Sequence, residues 1–200
     1  RLGNLDTPTW TGYDFVGWFC NGVQVTSSTV VSGDMILYGR WVTSRTWSYS
    51  KVKGGIEITG VNPATGDLII PNQIDGFDVV GIGEKAFYKC GDLTSVTIPD
   101  SVTSIGDDTF KYCFGLTSVT IGNSVTSIGN RTFYNCSGLT SIIIPNSVTS
   151  IGDEAFRNCS RLTSVFYKGT EYTRQPYSQN SEIISALSNG GVTCGNYAFY

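Results

Sequence analysis

Val102-Thr-Ser-Ile-Gly-Asp-Asp-Thr-Phe-Lys-Tyr-Cys-Phe-Gly-Leu-Thr-Ser-Val-Thr-Ile-Gly122 is one copy of a 23-residue sentence that this chain writes four times. It returns from Val125 to Pro145 and again from Val148, and a weaker copy starts at Val79. Ile82, Ile105, Ile128 and Ile151 each precede a glycine. Phe87, Phe110, Phe133 and Phe156 follow, then Cys90, Cys113, Cys136 and Cys159, then Leu93, Leu116, Leu139 and Leu162. A fixed period in the range of roughly 20–50 residues marks a stacked repeat, in which no unit buries its apolar face alone. Such a fold generates surface, which points to binding before catalysis.

Within one unit, Leu116-Thr-Ser-Val119-Thr-Ile121 follows the pattern L-x-x-L-x-L. Val119 and Ile121 alternate with Ser118 and Thr120, so this stretch is a strand with one buried face. Pro99 and Pro145 end two of these strands, because proline has no N–H for a ladder. Asp100, Asn123 and Asn146 supply turn chemistry next, and Val125 to Ile128 is a second short extended piece. Gly106, Gly129 and Gly152 are expected to let the chain turn sharply. Asp107, Asn130 and Asp153 are expected to N-cap a short helical turn. In the second unit the core is then Val102, Ile105, Phe110, Cys113, Leu116, Val119 and Ile121. The expected fold is mainly β with short helical turns, a solenoid preceded by a small N-terminal β module.

A net charge of −3 leaves no electrostatic footprint for nucleic acid or an anionic membrane surface. No apolar run is long enough to span a bilayer. With no signal peptide and no initiator Met, the chain reads as a mature fragment or an expressed piece of something longer. Histidine is absent, which removes the commonest general base, the commonest zinc ligand and every Ser-His or Cys-His pair. No enzymatic activity, cofactor or metal is expected.

Two groups of residues invite a chemical reading. The cysteine ladder suits metal ligation or a redox pair, or else four small buried side chains. Stacked coils put equivalent Cα atoms roughly 4.8 Å apart, within disulfide reach, but ladder side chains point the same way, which favours buried free thiols. Cys20 and Cys194 lie outside the ladder, and their pairing does not follow from sequence. The acidic positions Glu84, Asp107, Asp108, Asp153 and Glu154 suit calcium or helix capping. Asn130 in the same column is tolerated by capping and not by a metal ladder.

Two surfaces are candidate binding sites. The outward strand positions Ser95, Thr97, Ser118, Thr120, Ser141, Ile143, Ser164 and Phe166 form a hydroxyl-rich sheet face. That face suits sugars or extended protein segments, or is simply solvated. The second surface lies where otherwise identical coils differ: Tyr88, Lys89, Lys111, Tyr112, Phe114, Tyr134, Arg157 and Arg161. Tyr and Arg are favoured at interface hot spots, so this ridge reads as a recognition surface, or as an unconstrained one.

The unit Ile151-Gly-Asp-Glu-Ala-Phe-Arg-Asn-Cys-Ser-Arg-Leu-Thr-Ser-Val165 resembles the BspA-like leucine-rich repeat, also called the Treponema pallidum type. The likeness covers about residues 56–168, with Ile56-Glu-Ile58, Leu68-Ile-Ile-Pro71, Ile74-Asp-Gly76 and Val79 as the opening coil that hides the apolar end. It implies a right-handed leucine-rich repeat solenoid of 23-residue coils on a secreted or cell-surface protein. The implied role is adhesion to host matrix proteins or to another cell surface, through protein or glycan contacts. The alternative is a spacer that presents other domains and has no ligand of its own.

Residues 1–43 differ in character. Thr11-Gly-Tyr-Asp-Phe-Val-Gly-Trp-Phe19, Val30 and Met35-Ile-Leu-Tyr-Gly-Arg-Trp41 resemble the Listeria–Bacteroides repeat, a β-grasp-like module, without its usual first strand. Residues 44–55 read as a linker. The tail, 169–200, reads as a C-terminal cap. Gln175-Pro-Tyr-Ser-Gln-Asn is a loop, a short helix is N-capped by Ser181 and stopped by Gly190, and Val192 to Phe199 is a degenerate coil or a generic capping strand.

Overall fold

The repeated Ser-Ile pair of each unit forms a two-residue strand, and these strands stack in register. Ser104 and Ile105 lie opposite Ser127 and Ile128, which lie opposite Ser150 and Ile151. The computed structural model describes residues 8, 13–20, 23–25, 36–175, 178 and 180–200. The chain divides into two compact units, Arg1–Thr46 and Trp47–Tyr200.

In the larger unit one ladder runs from end to end. Gly55–Asn62, Phe77–Ile82, Ser104–Ile105, Ser127–Ile128, Ser150–Ile151 and Thr193–Cys194 follow one another, all parallel. Parallel pairing follows from coiling, because each full turn brings the chain back in the same direction. The L-x-x-L-x-L strands build the opposite wall in two pieces. Gly66–Ile69, Leu93–Thr97 and Ser118–Thr120 form one, and Ser141–Ile144, Ser164–Tyr167 and Thr170–Thr173 the other. All seven expected core residues of the second coil are buried. The phenylalanines form one column of parallel rings: Phe87 to Phe110 is 5.1 Å between centroids, Phe110 to Phe133 5.3 Å and Phe133 to Phe156 5.2 Å. Phe199 continues it at 4.9 Å from Phe156, with 1% of its surface exposed, so the tail from Val192 returns to the coil geometry.

Two expectations about the turns are corrected. Gly106, Gly129 and Gly152 are there for closeness rather than for a turn. A Cβ on Gly106 would lie 2.7 Å from the Glu84 nitrogen, and one on Gly129 or Gly152 would lie 2.6 Å from the carbonyl carbon of the glycine one coil before. The left-handed backbone falls on other residues, at φ 58° for Lys85, 54° for Asp108, 51° for Arg131 and 55° for Glu154. Each such residue costs about 1–2 kcal/mol. The cost is offset because the turn N–H groups point along the stack: Lys85 N–H donates to the Asp107 carbonyl (3.0 Å) and Phe87 N–H to the Thr109 carbonyl (2.9 Å). The acidic column does not cap its own turns either. Asp107 Oδ1 accepts the Asn130 N–H (2.7 Å), Asn130 Oδ1 the Asp153 N–H (2.8 Å) and Asp153 Oδ1 the Asn196 N–H (2.6 Å). These side chains therefore tie one coil to the next.

Both ends of the array are closed by parts that the sequence pattern disguises. Most of 44–55, expected as a linker, is strand Thr46–Val52, which turns at Lys53–Gly54 and pairs with Gly55–Asn62. Trp47 and Tyr49 pack against the core from it, and the Tyr49 hydroxyl donates to Asp75 Oδ2 (2.6 Å). At the other end the helix Ser181–Asn189 lays the buried Ile183 and Leu187 on the last coil. Its cap is Asn180, in left-handed geometry, so Ser181 is its first helical residue rather than its N-cap, while Gly190 does stop it. Arg174, 2% exposed, donates to the carbonyls of Cys159 (2.9 Å), Leu162 (3.3 Å), Phe199 (3.1 Å) and Tyr200 (2.8 Å). One guanidinium thus gathers four carbonyls at the end of the stack, three of which also accept from the Leu162 N–H, the Asn158 N–H or the Asn180 amide.

The smaller unit holds an antiparallel sheet in the order Val23–Gln24, Tyr13–Cys20, Tyr38–Thr43. A bulge between Phe15 and Gly17 interrupts its register. Phe19 is buried beneath the Arg40 guanidinium, 5.8 Å from its ring centre. Thr11, Gly12, Val30 and Met35 of the expected module lie outside the described residues, as do 176, 177 and 179 of the expected tail loop.

The ring column makes Phe133 the residue with most to lose. Phe133→Ala is expected to cost about 3–5 kcal/mol in chemical denaturation. A loss under about 1 kcal/mol would place the ring outside the energetic core.

Candidate functional site

After each core phenylalanine two residues stand outside the stack. The second is left-handed in every complete coil: Lys89 (φ 61°), Tyr112 (φ 65°), Asn135 (φ 58°) and Asn158 (φ 61°). Its N–H donates to the next coil, as from Tyr112 to the Tyr134 carbonyl at 2.9 Å. The backbone is thereby held, and the two side chains of each coil form two columns. One reads Tyr88, Lys111, Tyr134, Arg157, Tyr200, and the other Lys89, Tyr112, Asn135, Asn158.

The columns interlock. Tyr112 meets Tyr88 edge-to-face at 5.8 Å and Tyr134 at 5.9 Å. Lys89 lies 5.1 Å from the Tyr88 ring centre, Lys111 5.3 Å from that of Tyr134, and Arg157 5.3 Å from that of Tyr200. Phe114, 54% exposed, sits 5.9 Å from Tyr112. Arg161 is exposed in the fourth coil. Tyr197 and Tyr200 extend the ridge, and sequence reasoning passed over them. Their signal was positional, since they occupy the places of Glu154 and Arg157 in the degenerate last coil.

Two of the four ridge cations, Lys111 and Arg157, make ion pairs, and Arg131 beside the ridge shares the partner of Lys111. Lys111 Nζ lies 3.1 Å from Asp108 Oδ1, Arg131 Nε lies 2.9 Å from the same atom, and Arg157 pairs with Glu154. Burial pushes the Asp108 carboxyl upward, but hydrogen bonds from Arg131 and Lys111 outweigh it and hold the group below the ordinary range.

The sheet-face candidates fall on the two separate pieces. Ser95 lies opposite Ser118 and Thr97 opposite Thr120 on one. On the other, Ser141 lies opposite Ser164 and Ile143 opposite Phe166. Ile143 is 65% exposed, an apolar point among hydroxyls.

The cysteine ladder is a column of free thiols. Cys113, Cys136 and Cys159 are fully buried. Each sulfur donates to the phenylalanine carbonyl of the preceding coil: to Phe87 at 3.1 Å, Phe110 at 3.1 Å and Phe133 at 3.0 Å. Burial pushes the Cys113 and Cys159 thiols up to about 12 and raises Cys136 well above the ordinary value. Such thiols are neutral donors and poor nucleophiles.

A parallel solenoid with an invariant core and a variable ridge belongs to the leucine-rich repeat class. The family profile described as BspA type leucine rich repeat region, in six copies, matches residues 80–200, and the chain belongs to that family. No curated protein gives a significant match. Solved structures do. A leucine-rich cell surface protein from Faecalibacterium prausnitzii is 35% identical over 62% of this chain and 36% of its own, with a TM-score of 0.55. This chain therefore spans little more than a third of that protein. A leucine-rich repeat protein from Bacteroides capillosus is 31% identical over 62% of this chain and 94% of its own, with a TM-score of 0.55. The T. pallidum leucine-rich repeat protein shares the fold at 22% identity and a TM-score of 0.50, over 74% of this chain and 83% of its own. Among the described residues no helix is long and apolar enough to cross a membrane.

Both flanks of a pH–stability profile follow from these groups. The thiols ionise near 9 when unfolded and near 12 when buried, so their contribution is full below about pH 9 and is lost as pH rises between those values. The depressed Asp108 carboxyl contributes above its unfolded value of 3.8 and loses that contribution as pH falls further. Thermal melts across pH are expected to fall on both sides, and Asp108→Asn to flatten the acid side. In the native protein at mildly alkaline pH, Cys113, Cys136 and Cys159 are expected to resist a thiol reagent that modifies them on unfolding.

Proposed function

We propose that this chain is a binding module of a secreted or cell-surface protein, engaging an extracellular protein or glycan through its ridge. The carrying observation is the contrast between an invariant interior and an aromatic, cationic ridge held on a fixed backbone. Tyrosine and arginine are the side chains that anchor interfaces, and here Phe114 adds an exposed ring. Solenoids present extended surfaces of this kind. The surface location is supported by the description of the Faecalibacterium relative as a cell surface protein. The sheet face, with Ile143 and Phe166 among serines and threonines, is the second candidate surface. The continuous ring column supports a different role, that of a stiff spacer.

The test is a screen of the purified chain against immobilised matrix proteins and a glycan array. A saturable hit is expected, lost when Tyr88, Tyr112, Tyr134 and Arg157 are together changed to Ala and kept when Ile143 is changed to Ser. Binding that survives the ridge variant and fails with Ile143→Ser moves the site to the sheet face. Silence across both arrays leaves the spacer role.

A further inference from the structure

The faces of the ridge rings are already covered. Lys89 lies over Tyr88, Lys111 over Tyr134 and Arg157 over Tyr200, and Tyr112 meets both Tyr88 and Tyr134 edge-to-face. What remains for a partner is cation heads and ring edges, and the edge of an aromatic ring is its positive part. The charges along this strip do not cancel. Five cations, Lys89, Lys111, Arg131, Arg157 and Arg161, stand against two carboxylates within ion-pair reach, Asp108 and Glu154. Among the described residues Lys89 and Arg161, both exposed, make no ion pair. From this we infer that the ridge docks an acidic protein segment, an extended stretch of chain bearing carboxylates and at least one apolar side chain. The inference rests on the ridge being the binding surface.

Charge is divided across each turn. Asp107 and Asp153 follow the ladder strands by two residues, and each spends its Oδ1 on an N–H of the next coil. Neither makes an ion pair with a ridge cation, nor does Asp92, and Glu84 pairs with Lys85. Lys89 and Arg161 stand towards the opposite wall, on the side of the L-x-x-L-x-L strands. On a chain of net charge −3, an acidic partner is repelled elsewhere and steered to this flank. Lys89 and Arg161 belong to the first and fourth coils, roughly 14 Å apart along the stack at three strand spacings. An extended peptide covers that in about four to five residues, so one short segment reaches both. Phe114 decides between a protein and a sulfated glycan. Its ring is 54% exposed beside Tyr112, and burying it rewards an apolar side chain, which a sulfated sugar chain lacks.

The test is titration of the whole chain, read by fluorescence anisotropy, with a labelled peptide of repeated Asp-Glu-Leu, its neutral counterpart of repeated Asn-Gln-Leu, and heparin. The acidic peptide is expected to bind at least about 10-fold more tightly than the neutral one and to weaken as salt rises. Lys89→Gln and Arg161→Gln should each weaken it about 2–5-fold, and Phe114→Ala about 3–10-fold. Lys53→Gln, at an exposed cation on the cap hairpin, should change nothing. Heparin is expected to bind more weakly than the acidic peptide and to be indifferent to Phe114→Ala. Melting curves of all variants confirm that each is folded. The inference is overturned by equal binding of the two peptides, by full affinity in the folded Lys89→Gln and Arg161→Gln variants, by an equal loss in Lys53→Gln, or by heparin binding as tightly as the acidic peptide. If a matrix protein is captured through the ridge with no dependence on salt, Lys89 or Arg161, the binding role stands and this partner class falls. If the peptides, heparin, matrix proteins and glycans are all silent, both fall.

Discussion

Every coil of this protein lies about 5 Å from the next, and that distance constrains each position of the repeat. Whatever occupies a place in one coil touches its counterpart directly. Phenylalanine suits the core because its rings can lie parallel at this separation, as Phe110 and Phe133 do with only 5° between them. Glycine is required after each isoleucine because two backbones meet there with no room for a Cβ. The thiols of Cys113, Cys136 and Cys159 fit because each reaches back one coil to a buried phenylalanine carbonyl and adds a second hydrogen bond to the one that carbonyl accepts within its own turn.

The same constraint bears on charge. Like ions stacked at this distance would repel, since roughly 4–5 Å is salt-bridge range and screening acts over longer lengths. The columns avoid it by alternating. From Asp107 onward, Asp107, Asn130, Asp153 and Asn196 pass one backbone hydrogen bond up the stack with no two carboxylates adjacent, while Glu84, one coil earlier in the same column, turns out to solvent and pairs with Lys85. Tyr88, Lys111, Tyr134, Arg157 and Tyr200 alternate ring and cation, and the cations lean on the rings. The structural need to separate charges thus creates a two-coil rhythm on the surface.

A stack must also end. The apolar face of the first coil is covered by Trp47 and Tyr49 on a hairpin, and that of the last by Ile183 and Leu187 on the helix. Backbone groups need closing as well as side chains, and Arg174 does this at the far end with donors to four carbonyls. A neutral apolar residue at that position would remove these donors and leave the Cys159, Phe199 and Tyr200 carbonyls with one hydrogen bond fewer.

The repeat by itself determined the stacked architecture, the inward residues and the existence of the ridge, because a periodic core writes its period into every buried position. Phe110, Cys113, Leu116 and Val119 recur for a reason that acts locally and identically in each coil. What depends on neighbouring coils was not legible. The role of Gly106, the coil-to-coil bonds of Asp107 and Asn130, and the interlocking of Tyr112 with Tyr88 and Tyr134 appear only when one coil lies on another. The caps were hidden for the opposite reason. Thr46–Val52 and Arg174 occur once, at ends where periodicity fails, so no repetition marked them, and only the packing of the array shows what they cover. Tertiary structure alone also joined the variable residues of separate coils into two ordered columns, because side chains 23 residues apart become neighbours only when the solenoid closes its turn.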